Sequence, residues 1–199
     1  MQPVNLSLPY ETNLLFEDAF TDNRHHWKLE DSESEFAQFQ EGHFEMENLS
    51  RSIWQYHHIR LPASLPKEFQ IDATIQLEQS ASIGHFGLVW GFNDRFTCLN
   101  RFSLSADFKR AVVMYFERNH SHVMHRFQSR NIPRIKPQNK IRFRIIQTDG
   151  YCFFYLQEQF IYLVHASHLA DADRNIGFYL EPYLKIRANH LSIKELIFP

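Results

Sequence analysis

The chain has 199 residues, of which 22% are charged, and a formal net charge of −2. That balance gives no basic footprint for nucleic acid. Nowhere do about 18 apolar residues follow one another, so no membrane-spanning helix is expected. A hydrophobic content of 44% with 19 Phe is ample for a continuous core, and the length suits a single domain over residues 1–199.

The N-terminus, MQPVNLSLPYETNLLF, has neither the basic start nor the compact apolar run of a secretory leader, so a cytoplasmic location is expected. Cys98 and Cys152 both fall inside apolar strand patterns. Two buried, reduced thiols are expected there, not a disulfide.

Strand signals recur along the whole sequence. They are predicted near Leu14–Phe20, Phe36–Gln40, His43–Glu47, Ser52–Ile59, Phe69–Glu78, Gly84–Phe92 and Cys98–Ser105. They continue near Arg110–Glu117, Val123–Gln128, Lys140–Gln147, Tyr151–Leu156, Phe160–Val164, Asn175–Leu180 and Lys185–Leu196. The clearest is Phe69–Glu78, where Phe69, Ile71, Ala73, Ile75 and Leu77 alternate with Gln70, Asp72, Thr74, Gln76 and Glu78. Period two puts one face on a core and the other in water.

Asp149-Gly150 predicts a two-residue hairpin turn, because a type I′ turn needs positive φ at both central residues. Gln40-Glu41-Gly42 predicts another, and Arg130–Asn139, with two prolines, a long loop. Only Ala166–Asp173 could form a turn or two of helix. About fourteen strands without a helical layer imply an all-β, antiparallel, two-sheet sandwich.

Particular motifs carry a family resemblance. Phe16-Glu-Asp-Ala-Phe20-Thr-Asp-Asn23 followed by Trp27 resembles the opening strand of concanavalin A-like lectin and glucanase jelly rolls. LamG-like and 3-keto-disaccharide-hydrolase-like bacterial domains are the relatives meant. Phe69–Leu77, Gly87-Leu-Val-Trp-Gly-Phe-Asn-Asp94 and Arg101-Phe102-Ser103 are similar to their central block. Lys140–Ile145 with Asp149-Gly150 and Phe154-Tyr155 resembles their late hairpin, and Asn175–Phe178 and Leu191–Leu196 their closing strands. Those relatives place an Asn-Gly turn where this chain has Gln157-Glu158-Gln159, so a longer or distorted turn is expected there. The resemblance implies a concanavalin A-like jelly roll and is nearly silent on activity.

Glycosidases need two carboxylates flanking the scissile bond. Glucanases of this fold carry them on alternate residues of one strand, as E-x-D-x-(x)-E, and no such match occurs. Asp31-Ser-Glu33-Ser-Glu35 is the nearest, but its intervening serines predict a solvated loop. Among 12 His, His120 and His122 could share a strand face, yet no carboxylate or Cys stands at ligand spacing. Asn93-Asp94 and Asp171/Asp173 suit turns better than a calcium site. No metal and no cofactor are expected.

A sugar asks for an exposed aromatic platform and planar hydrogen-bonding groups. In Gly84–Phe92, parity sends Phe86, Leu88, Trp90 and Phe92 to the core and leaves His85, Gly87, Val89 and Gly91 outside. The same sorting gives a candidate carbohydrate set of Trp54, Tyr56, His58, His85, Arg101, Tyr115, Glu117, Arg142 and Arg144. On one concave sheet these would form a groove for an oligosaccharide. Parity fixes the face of a strand but not its sheet, so they could equally be split between two outer surfaces.

The leading expectation is a non-catalytic carbohydrate-binding or interaction module whose partner is a glycan or a protein. A glycoside hydrolase of the 3-keto-disaccharide type and an oligomerising structural protein remain alternatives. The missing glucanase motif weighs against catalysis, and the oligomeric state is open.

Overall fold

Period-two alternation folds here into two antiparallel sheets. The computed structural model describes residues 10–81, 83–92, 97–117, 122–136, 138–169 and 173–199. Among them are fifteen strands: β1 (Glu11–Asp18), β2 (Glu30–Asp31), β3 (Glu35–Gln40), β4 (His43–Asn48), β5 (Gln55–Arg60), β6 (Phe69–Ser80), β7 (His85–Phe92) and β8 (Cys98–Ser105), then β9 (Ala111–Glu117), β10 (His122–Ser129), β11 (Lys140–Thr148), β12 (Tyr151–Leu156), β13 (Gln159–His165), β14 (Asn175–Leu180) and β15 (Leu184–Ile197). The nine-stranded sheet runs β13-β12-β11-β6-β15-β4-β3-β2, with β1 also paired to β15, and the six-stranded sheet runs β10-β9-β8-β7-β14-β5.

The strand beyond the expected fourteen is β2, two residues long and too short to show a period. It lies in the acidic stretch expected to be a solvated loop. Instead Asp31 ends β2 and Glu35 opens β3, leaving only residues 32–34 as a turn. In the segment expected to hold a turn or two of helix, Ala166–His168 form a 3-10 turn, and residues 170–172 lie outside the described residues.

The apolar parity of β6 lies between the sheets, with Phe69, Ile71, Ala73 and Ile75 fully buried. Phe143 and Phe154 on the nine-stranded side meet Phe86, Trp90 and Phe102 on the other, at ring-centroid distances of 5.1–6.2 Å. Each such side chain removed from water contributes about 1.5–3 kcal/mol. The opening motif is structural: buried Asp18 accepts hydrogen bonds from the Phe20 amide (2.7 Å) and the Trp27 indole N–H (2.8 Å). Those two bonds hold Phe20 and Trp27 against Phe44 and Phe178.

Turns and bulges follow local chemistry. Glu41-Gly42 and Asp149-Gly150 both take positive φ, as type I′ turns require. The turn expected to be longer or distorted is not longer: it is also two residues, Gln157-Glu158, both left-handed without a glycine. Such a conformation costs roughly 1–2 kcal/mol per residue. Side-chain contacts offset it: Gln157 donates to the Lys140 carbonyl at 2.8 Å, and Glu158 pairs with Arg142 and Arg144. In β7, Gly91 takes φ 69° and bulges out of the β14 pairing, where the register shifts between Asn175 and Ile176. The bulge turns Phe92 away from the core parity of Phe86, Leu88 and Trp90. It packs instead with Val89, Leu99 and Tyr179 on the outer face, correcting the sequence assignment.

Both cysteines are free, but only Cys152 is buried; Cys98, expected to be buried too, opens β8 and is part-exposed. Burial pushes the Cys152 thiol up to about 12, so it stays a protonated core group.

Candidate functional site

The outer face of the six-stranded sheet can be read row by row from its register. One row runs Tyr56–Tyr179–Gly87–Ser103–Val112, and the next His58–Gly177–Val89–Arg101–Met114. Beyond the first row, Glu181 follows β14 and its backbone N–H donates to the His85 carbonyl at 3.0 Å. Gly87 permits this packing, because a Cβ there would sit 2.2 Å from the Phe102 carbonyl oxygen.

Arg101 starts on β8, and its guanidinium reaches across β7. Its central carbon lies 4.1 Å from the Tyr179 ring centroid and 5.9 Å from that of Trp54. Both distances fall within cation–π range. Tyr179 is flanked in turn by Tyr56 at 5.5 Å and Trp54 at 6.3 Å. Trp54 is 47% exposed and forms the solvent-facing edge of the group, whereas Arg101 is only 5% exposed.

Glu181 ties the cluster together. It accepts from the Tyr179 hydroxyl at 2.6 Å and the His85 amide at 3.0 Å, lies 3.4 Å from His85 Nδ1, and lies 3.8 Å from Arg101 Nη1. Burial alone would raise its pKa. The hydrogen bonds from His85 and Tyr179, with the charges of His85 and Arg101, outweigh burial and bring it down to about 2. Glu181 is therefore a fixed anion at neutral pH and has no proton to give. The Tyr179 hydroxyl moves the other way, raised chiefly by burial.

Trp54, Tyr56, His58, His85 and Arg101 are thus brought to one face, with His58 stacked edge-on to Phe92 at 5.1 Å. Four other sequence candidates fall elsewhere. Tyr115 pairs with Asn100, on the parity of Val113 and Phe102, so it sits on the inward side; Met114 holds the outward position beside Arg101. Glu117 ends β9 opposite Cys98. Arg142 and Arg144 lie on β11 of the other sheet.

There the two arginines join Glu17, Asp72, Thr74, His190, Ser192 and Lys194 around an open groove of about 280 Å³. Arg144 bridges Asp72 and Glu158, each at 2.6 Å, and Arg142 also pairs with Glu158. His190 reaches Glu17 at 3.2 Å. Asn93-Asp94, Asn119-His120 and Asp171 lie outside the described residues. No group of three metal-ligating side chains occurs among the described ones.

Sequence reasoning missed Tyr179 and Glu181. Asn175–Leu180 is apolar on both parities, so alternation did not mark Tyr179 as outward, and Glu181-Pro182 reads as a turn. The small residue Gly177 on Tyr179's parity, opposite Ile176 and Phe178, was the available signal.

The chain matches no protein-family model and no curated protein sequence. Solved structures do match its architecture. A Bacillus subtilis protein of unknown function with a galectin-like fold aligns with a TM-score of 0.69 at 12% identity, over 96% of this chain and 100% of that one. The catalytic domain of an endo-1,3-β-glucanase (laminarinase) from Thermotoga petrophila gives 0.67 at 10% identity, over 94% and 99%. The carbohydrate-binding module CBM66 from Bacillus subtilis gives 0.57 at 12% identity, over 94% and 100%. The fold is the concanavalin A-like jelly roll.

Proposed function

We propose that the protein is a non-catalytic glycan-binding module whose site is the outer face of the six-stranded sheet around Trp54, Arg101, Tyr179 and Glu181. The observation that carries this reading is a half-exposed Trp54 beside a pre-arranged cluster of buried Arg101 and Tyr179 with part-buried Glu181 and His85. An aromatic edge takes the apolar face of a sugar ring, and a few fixed polar groups set its orientation. The cluster's one carboxylate among the described residues, Glu181, is held ionised and fully engaged, which suits recognition better than acid catalysis.

A glycan array followed by calorimetry on its hits tests the reading. Trp54→Ala is expected to weaken binding at least about tenfold, or ~1.4 kcal/mol. Stability should barely change, because the ring is 47% exposed. Arg142→Ala, on the opposite sheet, should bind as the parent does. Silence of both array and calorimetry would refute the module, and unchanged affinity in Trp54→Ala would move its site.

The glycosidase alternative has one observation in its favour. Glu17 and Asp72 both line the groove on the nine-stranded sheet and flank Ser192 in register, two strands apart. Strand spacing puts their backbones roughly 10 Å apart. Hydrolysis of a glycan hit that is abolished by Glu17→Gln and by Asp72→Asn, and not by Trp54→Ala, would favour it.

A further inference from the structure

Among the described residues, the buried Arg101 cation has no oxygen acceptor within hydrogen-bond distance. Its Nε and Nη1 find no hydrogen-bond partner there, and Nη2 meets the Met114 sulfur at 3.8 Å. A thioether is a weak acceptor, while a guanidinium carries five N–H donors in a planar fork. Glu181 supplies charge from 3.8 Å, too far for a hydrogen bond. That carboxylate is already occupied by Tyr179 and His85. Near it, His85 Nε2 is another buried nitrogen that finds no partner among the described residues. A polar group left unpaired in a dry site is costly, and for a charged group the cost is greater still. Local packing therefore holds a charged fork in place and leaves its oxygen acceptors to come from outside.

Building on the glycan reading above, we infer that the ligand is an acidic sugar, a uronate or sialate residue, whose carboxylate pairs with the Arg101 guanidinium while its ring packs against Trp54. Carboxylate and guanidinium match as planar, two-point partners, which a single sugar hydroxyl does not. Access follows from the cover: Arg101 lies beneath Trp54, which sits in the 49–54 segment between β4 and β5 and is the exposed member of the group. Swinging that one ring outward opens the guanidinium and offers the ring's face to the sugar.

The experiment compares glycans that differ only in charge. Trigalacturonate against its methyl ester, and sialyllactose against lactose, are titrated calorimetrically into the full-length protein. At least one acidic member should bind tenfold or more tightly than its neutral counterpart. Arg101→Gln should erase that preference, and Arg101→Lys should restore only part of it. Should an Arg101 variant not fold, the Arg101 Nε–H resonance of the parent protein is followed instead, and it should shift on adding the acid and not the ester. Array hits confined to neutral glycans would overturn this inference and leave the glycan module standing. An array with no hits, together with no heat from any of these probes, would overturn both. An acid preference that survives in folded Arg101→Gln, or an unmoved Nε–H resonance, would remove Arg101 from the role.

Discussion

His57 makes the sharpest prediction about stability. It lies on β5 with its side chain between the sheets and is only 3% exposed. Its Nε2 is 3.5 Å from Glu35 on β3 and has no hydrogen-bond partner among the described residues. Burial first, then the charges of Lys28 and His58, brings its pKa from 6.5 down to about 4. The folded protein thus resists protonating a ring that the unfolded chain protonates freely. The stability this confers is complete above about pH 6.5 and is lost as pH falls toward about 4.

By linkage, the His57 contribution falls by about 2 kcal/mol between pH 7 and pH 5, and by about 3 kcal/mol at pH 4. Glu35 opposes part of that loss, because burial raises its pKa and the folded state takes up its proton on the same descent. Comparison with His57→Gln isolates the histidine, since glutamine does not titrate. Urea unfolding of both proteins at pH 7, 6 and 5 is the assay. The variant should start less stable and then lose about 2 kcal/mol less than the parent over that range. Equal losses in the two proteins would refute the reasoning.

Two further perturbations test the packing that holds the site. Gly177→Ala would put a Cβ 2.0 Å from the His57 carbonyl oxygen and force β14 away from β5. A loss above about 3 kcal/mol, or failure to fold, is expected from chemical denaturation, and a near-neutral result would contradict the strand spacing. Asp18→Ala strands the Trp27 indole N–H and the Phe20 amide inside the core. It should cost about 2–4 kcal/mol with a changed near-UV tryptophan signal, whereas Asp18→Asn should keep part of the bonding and lose less.

Much of the fold was legible because alternation is a local property. Phe69–Leu77 and Ile141–Ile145 each put their apolar parity on the core, as the sequence pattern required. Trp90 was rightly read as buried, at 1% exposure. Phe92 was misread because one glycine, Gly91, inserts an unpaired residue, and parity counted across a bulge inverts. The Gln157-Glu158 turn stays at two residues without a glycine because its stabilisation comes from Arg142 and Arg144 on a neighbouring strand, not from its own residue types.

The candidate site divides along the same line. Which face of a strand a residue takes follows from period two, so Tyr56, His58, His85 and Arg101 lie on the outer face of their sheet, though Arg101 is covered there by its neighbours. Which sheet each strand joins depends on pairings between residues distant in sequence, such as Tyr179 with Gly87 and Arg144 with Asp72. Those pairings put Arg142 and Arg144 on the opposite surface and turned Tyr115 inward. They also brought Tyr179 and Glu181, unremarkable in sequence, against Arg101. The sequence thus determined a two-sheet, all-β sandwich and the outward parity of its strands, because side-chain alternation is written into neighbouring residues. Only the tertiary structure decided that a buried guanidinium, an anchored carboxylate and an exposed Trp54 form one site, because their meeting depends on long-range strand order.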